Sequence, residues 1–147
     1  MATSQTAAAP ATRSGRALLG IGLRVVGAGL LAAMAAIHLY LYVHGYQGVP
    51  TIGLLFLLNG IGGGVLTIAV LGAPRRFLGV AAVLGALFDL GTLAALVAAI
   101  LIPGGLFGFQ ESVQAFLVPS TLAVESAGVV VLAVLTGVAG FAGLRRT

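Results

Sequence analysis

The stretch from Phe77 to Ile102, FLGVAAVLGALFDLGTLAALVAAILI, decides the fold. Asp89 is its one charged residue, and glycine and a single threonine are the only other departures from apolar side chains. The hydrocarbon core of a bilayer is about 30 Å thick, and a helix of about 20 apolar residues crosses it. Backbone groups cannot stay unpaired in lipid, so an apolar stretch of this length has to be helical. We therefore expect a transmembrane helix here.

Three more apolar stretches have a comparable length, which gives four predicted helices at about residues 20–43, 50–72, 77–102 and 119–143. Pro50 and Pro119 stand at two predicted starts, where the missing N–H of proline costs nothing. Gly72 and Pro103 mark two predicted ends. Gly60 and Gly64 have the spacing of a small-residue contact, which favours either tight packing within one bundle or a homodimer face.

The composition excludes several classes of protein. Of the 147 residues, 60% are apolar and only 7% are charged, whereas a soluble domain is roughly 25% charged. A soluble enzyme is therefore not expected. All seven cations are arginines, scattered singly or in pairs, so no basic face for nucleic acid is predicted. The expected surroundings are the lipid bilayer, with a homo-oligomer or a larger membrane complex as possible protein partners.

The arginines predict the orientation. If the amino terminus is cytoplasmic, all seven lie on the inner side, and the two opposite loops contain none. Cytoplasmic segments carry such an excess of basic residues. The sequence thus predicts an all-α integral membrane four-helix bundle over residues 17–147, multi-pass in a bacterial inner membrane. Both termini are expected in the cytoplasm, with residues 1–16 as a disordered tail.

A cleaved signal peptide is the alternative for the first segment. Ala33-Met34-Ala35 fits the small-x-small pattern of a signal-peptidase site, and arginines precede it. The apolar run, however, continues to Leu41, which makes it longer than the roughly 7–15 residues of a signal-peptide core. An uncleaved helix is therefore expected.

Polar residues inside the predicted spans are the candidate functional residues. Counting about 1.5 Å per residue from the nearest arginine places His38, Asn59 and Asp89 roughly 20–24 Å deep, in one layer near mid-membrane, with Thr92 one turn from the aspartate. The same count places Glu125 roughly 30 Å up, level with His44. We therefore expect a deep tier and an outer polar tier, the latter capped by loop residues Gln110, Glu111 and Gln114.

The chemistry of these residues leaves two interpretations open. A buried aspartate beside a histidine shares a proton or forms an ion pair, and intramembrane carboxylates are functional by default. Alternatively, His38 is a packed, hydrogen-bonded residue and Asn59 holds helices together. Haem ligation by two histidines is not expected, because His38 and His44 are on one helix and face different ways. No cofactor, no metal site and no catalytic residue is predicted.

One resemblance to a known family is present in the first half of the chain. The run Gly22-Leu23-Arg24-Val25-Val26-Gly27-Ala28-Gly29, leading to Ile37-His38-Leu39, resembles the opening helix of the DoxX-like family of small four-helix membrane proteins. The glycine-rich segment Asn59–Gly72, followed by a basic turn, is similar too. Many relatives have a glutamate where this chain has Asn59. The segment from His38 to Asn59 also looks like membrane proteins of GC-rich bacteria, and none of these resemblances implies an activity.

Two functional hypotheses follow. The first is a non-enzymatic accessory or assembly subunit of a larger membrane system, in which the polar residues hold the helices together. The alternative is a small oligomeric proton-linked transporter that uses Asp89 as the proton-binding carboxylate and His38 as its partner. The two hypotheses differ in what replacement of Asp89 changes: membrane abundance in the first, proton flux in the second.

Overall fold

The computed structural model describes the backbone of residues 11–144 and, within it, the side chains of Gly15 and residues 17–139. This part is all-helical and contains no strand, and its four helices are long and apolar enough to cross a membrane. The helices are α1 (Ala11–Leu41), continued by a π-helical turn (Tyr42–Tyr46), then α2 (Ile52–Gly72), α3 (Arg75–Leu101) and α4 (Val118–Leu144).

The predicted helices are confirmed in number and nearly in extent. One boundary differs clearly, because α1 begins at Ala11 and not near residue 20. Extending an existing helix adds one hydrogen bond per residue without a new nucleation cost, so the helix runs back into polar sequence. Residues 11–16 therefore belong to α1 and not to the expected tail, whose remaining residues 1–10 lie outside the described part. Pro119 lies in the first turn of α4 as expected, whereas Pro50 lies in the turn before α2.

Short connections make α1 to α4 alternate in direction, so the bundle has two distinct ends. We call the end with the connections 47–51 and 102–117 the loop end, and the end with the two-residue connection 73–74 the arginine end. At the arginine end the Arg24 guanidinium donates hydrogen bonds to the carbonyls of Val70, Leu71 and Ala73. These carbonyls lack helical partners at the end of α2 and carry its negative dipole, so Arg24 ties α1 to α2.

Packing is uneven around the bundle. The closest packing joins α1 to α2 and α3 to α4, α1 also contacts α4, and α2 contacts α3 least. The buried apolar core lies in the half nearer the arginine end and is built from Ala28, Leu31, Met34, Val70, Ala81, Ala82, Leu132 and Leu135. Toward the loop end the core gives way to polar side chains and open space.

The glycines of α2 pack within the chain. A β-carbon built on Gly60 would collide with the Leu39 side chain, and one on Gly63 would stand 2.8 Å from the Met34 terminal methyl. One on Gly64 would meet nothing within 4 Å among the described residues. The close contact predicted at Gly60 is therefore a contact with α1, made together with Gly63 in place of Gly64.

Candidate functional site

A cavity of about 350 Å³ opens between the helices toward the loop end. All four helices and the 102–117 connection contribute to its wall, which is mostly apolar. The cavity lies where α2 and α3 pack least against each other, so the space follows from the uneven packing of the bundle. Its polar lining residues are His38, Tyr46, Asn59, Thr92, Glu111 and Thr121.

A hydrogen bond between the π-helical turn and the 102–117 connection closes the cavity at the loop end, and we call this side of the cavity the roof. The Tyr46 hydroxyl donates to Glu111 Oε2 at 2.6 Å, and the Tyr46 ring stacks on Phe56 with centroids 4.4 Å apart. The π-helical turn carries Tyr46 to this position. Such turns insert a residue into a helix and redirect its side chains, and they are frequent at functional sites. The roof therefore links the end of α1 to α2 and to the connection after α3.

Hydrogen bonds to the last turn of α3 hold the connection that follows it in place. The Glu111 N–H donates to the Ala99 carbonyl at 3.0 Å, and the Gln110 side chain donates to the same carbonyl at 2.8 Å. Gly105 has a φ of 69°, and a β-carbon there would collide with the backbone of Phe109. A glycine is therefore required for the loop to fold back and bring Glu111 over the cavity.

His38 lies at the floor of the cavity and is 6% exposed. Its Nδ1 is 3.0 Å from the Met34 carbonyl oxygen. A carbonyl oxygen only accepts, so Nδ1 carries the hydrogen of this bond. In the neutral ring Nε2 then carries no hydrogen. Its lone pair faces Glu125, and Nε2 lies 3.8 Å from Glu125 Oε1. This is an ion-pair distance rather than a hydrogen bond, and a small approach of the two side chains would place a proton between them.

Two carboxylates behind the floor are completely buried. Asp89 and Glu125 are each 0% exposed, and none of their four carboxylate oxygens has a hydrogen-bond partner within the described residues. The Asp89 carboxylate packs directly against Gly128, one turn after Glu125 on α4, and the two acids are close enough to interact electrostatically. Burying a charge without partners costs far more than burying a neutral acid. The arrangement therefore favours bound protons on these groups.

The structure brings the predicted residues together in a different grouping. His38 and Asn59 line the cavity, and Asp89 is buried nearby with Thr92. The carboxylate within ion-pair distance of His38, however, belongs to Glu125, which was expected in the outer tier, and not to Asp89. The outer tier of His44 and Glu125 is therefore not formed, because the two residues lie at different depths.

The error has a geometric cause. The depth of Glu125 was counted from Arg145 as if that residue and Arg24 stood at one level. The helix α4 is still continuous at Leu144, nineteen residues after Glu125, whereas Arg24 comes only fourteen residues before His38. Counting from the loop end instead puts Glu125 about 10 Å below the start of α4 and His38 about 12 Å below Tyr46. By this count Glu125 and His38 lie at nearly the same depth below the loop end.

His44 lies outside the site. It is exposed, stacks on the Tyr40 ring with centroids 4.1 Å apart, and contacts the Tyr40 carbonyl through Nδ1 at 2.8 Å. These contacts stay within one turn of the chain. His44 therefore has a local role at the loop end and does not reach Glu125.

Several residues that sequence analysis does not single out belong to the site, Phe56, Thr121 and Gly128 among them. Phe56 forms part of the roof, Thr121 lines the cavity, and the Asp89 carboxylate packs against Gly128. Thr121 and Gly128 stand four residues before and three residues after Glu125, so they share a helix face with it. The spacing of Thr121 and Gly128 from Glu125 could have indicated that they belong to the site. The sequence gave no such indication for Phe56, because phenylalanine is equally common against lipid.

No group of three or more histidine, aspartate or glutamate side chains in the described ranges is arranged to hold a metal ion. Comparisons of the chain with protein-family models, with curated proteins and with solved structures return no match. The resemblance to the DoxX-like family therefore stays a prediction.

Proposed function

We propose that this protein is a small proton-linked transporter of a bacterial inner membrane. The observation that carries the proposal is the His38 lone pair facing Glu125, between a cavity on one side and a second buried acid, Asp89, on the other. Buried Asp, Glu and His series of this kind mark proton pathways in membrane proteins. His38 reaches the cavity and so relays protons between it and Glu125.

The hydrogen bonds favour this function over a purely structural role. His38 bonds to Met34 and Thr92 bonds to Phe88 and Asp89, all within their own helices. In the described part of the chain the Asp89 and Glu125 carboxylates accept no hydrogen bond of regular geometry, and the Thr92 hydroxyl of α3 interacts with Glu125 from outside that geometry. Residues that hold helices together are expected to bond across them. Here the carboxylate oxygens of Asp89 and Glu125 instead stay free to bind protons.

The proton path is open from one end only. Below Asp89 the apolar core closes the bundle toward the arginine end, with Leu31, Ala82 and Leu132 all fully buried. Transport therefore needs a second conformation in which the acids face the other side. The weak contact between α2 and α3 is the interface whose rearrangement costs least.

The orientation is part of the proposal. Arg24, Arg75 and Arg76 lie at the arginine end, whereas the loop end has no arginine or lysine. Under the positive-inside rule the arginine end and both termini are cytoplasmic. The cavity then opens to the outside, and protons bind from that side.

The test is proton flux in vesicles that contain the purified full chain. A potassium gradient with valinomycin drives protons, and an internal pH dye reports their entry. We expect flux with the parent protein and loss of at least nine-tenths of it in Glu125→Gln and Asp89→Asn, at unchanged membrane abundance. Thr136→Val is the control, because it removes a polar group of α4 that bonds within its own helix and does not line the cavity, so it should keep the flux.

The structural role predicts a different result. A scaffold protein shows no flux above empty vesicles, and Glu125→Gln or Asp89→Asn lowers its abundance in the membrane. Absence of flux in the parent protein, with correct insertion shown by protease protection, would overturn the proposal. Equal loss of flux in Thr136→Val and Glu125→Gln would overturn the assigned relay.

A further inference from the structure

We infer that the cavity binds an amphipathic organic cation, and that this is the molecule exchanged for protons. The inference rests on the proposed function and names the class of its substrate. It is argued from the distribution of charge, from the aromatic rings of the roof, and from the size and lining of the cavity.

All three acidic side chains of the sequence lie around this cavity. The sequence has three acidic residues. Glu111 lines the cavity at the roof, Glu125 stands behind His38 at the floor, and Asp89 is buried beside Thr92, a lining residue. No arginine or lysine of the described part lines the cavity. A carboxylate at the wall of a low-dielectric space focuses a negative potential inside it, which attracts cations and repels anions. Asp89 and Glu125 add to this potential when they release their protons.

The roof offers aromatic faces to a positive group. The rings of Tyr46, Phe56 and Phe109 surround the upper part of the cavity, with Tyr46 stacked on Phe56 and edge-on to Phe109 at 5.6 Å. Aromatic faces carry partial negative charge and attract organic cations within about 6 Å. Glu111 lies in the same layer through its bond to Tyr46. A quaternary or protonated amine therefore finds both a carboxylate and aromatic rings there.

The rest of the cavity wall suits an apolar body. Leu41, Leu55, Leu87, Ala95 and Leu96 are among its lining residues. A volume of about 350 Å³ lies in the range of small-molecule sites, which begins at roughly 300 Å³. A bare metal ion leaves most of this space empty and finds too few ligands in the described ranges. An organic cation fills both the charged and the apolar part.

The buried acids explain why cation binding and proton release are linked. Without a positive partner, Asp89 and Glu125 keep their protons, because ionisation in a buried site is costly. A cation in the cavity supplies that partner, so its entry favours deprotonation through His38. The return of the proton then expels the cation. Cation entry with proton release, followed by proton binding with cation release, exchanges the cation for a proton.

The experiment compares three ligands that differ mainly in charge. Benzyltrimethylammonium is the cation, neopentylbenzene is its uncharged carbon isostere, and phenylacetate is an aromatic anion. Binding to the purified full chain in detergent is measured by titration calorimetry, with competition for the poorly soluble isostere. We expect the cation to bind at least about tenfold tighter than the isostere, and the anion not to bind. Isostere affinity equal to or above that of the cation would overturn the inference.

Two variants locate the binding. Glu111→Gln and Phe56→Ala should each weaken cation binding at least about fivefold, because one removes the roof carboxylate and the other a roof ring. Phe77→Ala is the matched control, since Phe77 is exposed and lies at the arginine end, away from the cavity. Unfolding temperature checks that each variant is folded. An equal effect of Phe56→Ala and Phe77→Ala would overturn the assigned site, and the ligand comparison on the parent protein stands without the variants.

The two proposals fail separately. Cation selectivity without proton flux, measured in vesicles both with and without a gradient of benzyltrimethylammonium, supports the binding site and rejects transport. Proton flux in the vesicle assay without cation selectivity keeps the proton relay and rejects the organic cation as its substrate. A dependence of cation affinity on Glu125, tested with Glu125→Gln, distinguishes exchange from binding that is independent of protons.

Discussion

At the scale of single residues, the contact between Asp89 and Gly128 explains how a carboxylate fits between two helices. Gly128 has no side chain, so the Asp89 carboxylate lies against the backbone of α4 without exposure to lipid. The same contact keeps the acid within electrostatic range of Glu125. The glycine is therefore part of the proton site, although it carries no polar side chain.

Substitution of Gly128 tests this contact. In Gly128→Ala the new methyl collides with the completely buried Asp89 carboxylate, so we expect a loss of about 1–3 kcal/mol in the free energy of unfolding. Gly137→Ala is the matched control, because its methyl meets no described atom within 4 Å and alanine favours helix. Thermal unfolding in detergent measures both. Equal stabilities of the two variants would contradict the contact, and Asp89→Ala should reduce the cost of Gly128→Ala.

At the scale of helices, Arg24 fixes the register of α1 against α2. Its guanidinium satisfies three carbonyls at the end of α2, and a planar fork of donors suits several acceptors at once. Sequence analysis assigned Arg24 only to the positive-inside pattern. The positive charge of Arg24 also stabilises α2, because it lies at the negative end of the α2 dipole.

The Arg24 cap predicts a specific loss of stability. Arg24→Gln removes a charged donor that bonds three carbonyls, and we expect a cost of about 2 kcal/mol, since bonds to charged groups contribute roughly 1.5–3 kcal/mol. Arg76→Gln removes the same charge from the same end but loses only a contact with the Phe77 ring, so its unfolding temperature should change little. Arg24→Lys should give an intermediate value. Similar losses for Arg24→Gln and Arg76→Gln would show that charge alone matters.

The helices were predictable from the sequence, whereas the grouping of the site residues was not. Length and hydropathy locate the four helices, because lipid leaves no alternative to a continuous helix. The depth of Glu125 required knowing where α4 ends relative to α1, and hydropathy does not contain that information. The partner of His38 was therefore predicted as Asp89 when it is Glu125. The roof formed by Tyr46 and Glu111 depends on a π-helical turn, for which the sequence gave no signal.

At the scale of the whole molecule, the absence of cysteine from the sequence makes the orientation directly measurable. Gln114→Cys places a thiol at the exposed loop end, and Gly72→Cys places one at the exposed arginine end, where no described atom lies within 4 Å of the new β-carbon. In intact cells we expect a membrane-impermeant maleimide to label Gln114→Cys and to leave Gly72→Cys unlabelled until the cells are opened. The reverse pattern would invert the proposed topology.

The connection between α2 and α3 has a mechanical consequence. Only residues 73–74 separate the two helices, and Arg24 holds the end of α2 beside them. The two helices thus share a fixed pivot, so they separate as an angle that widens with distance from it. A small rotation at the pivot produces its largest displacement at the opposite end, where Tyr46, stacked on Phe56 of α2, donates a hydrogen bond to Glu111 in the connection after α3. Breaking that hydrogen bond is the first event that such a hinge produces.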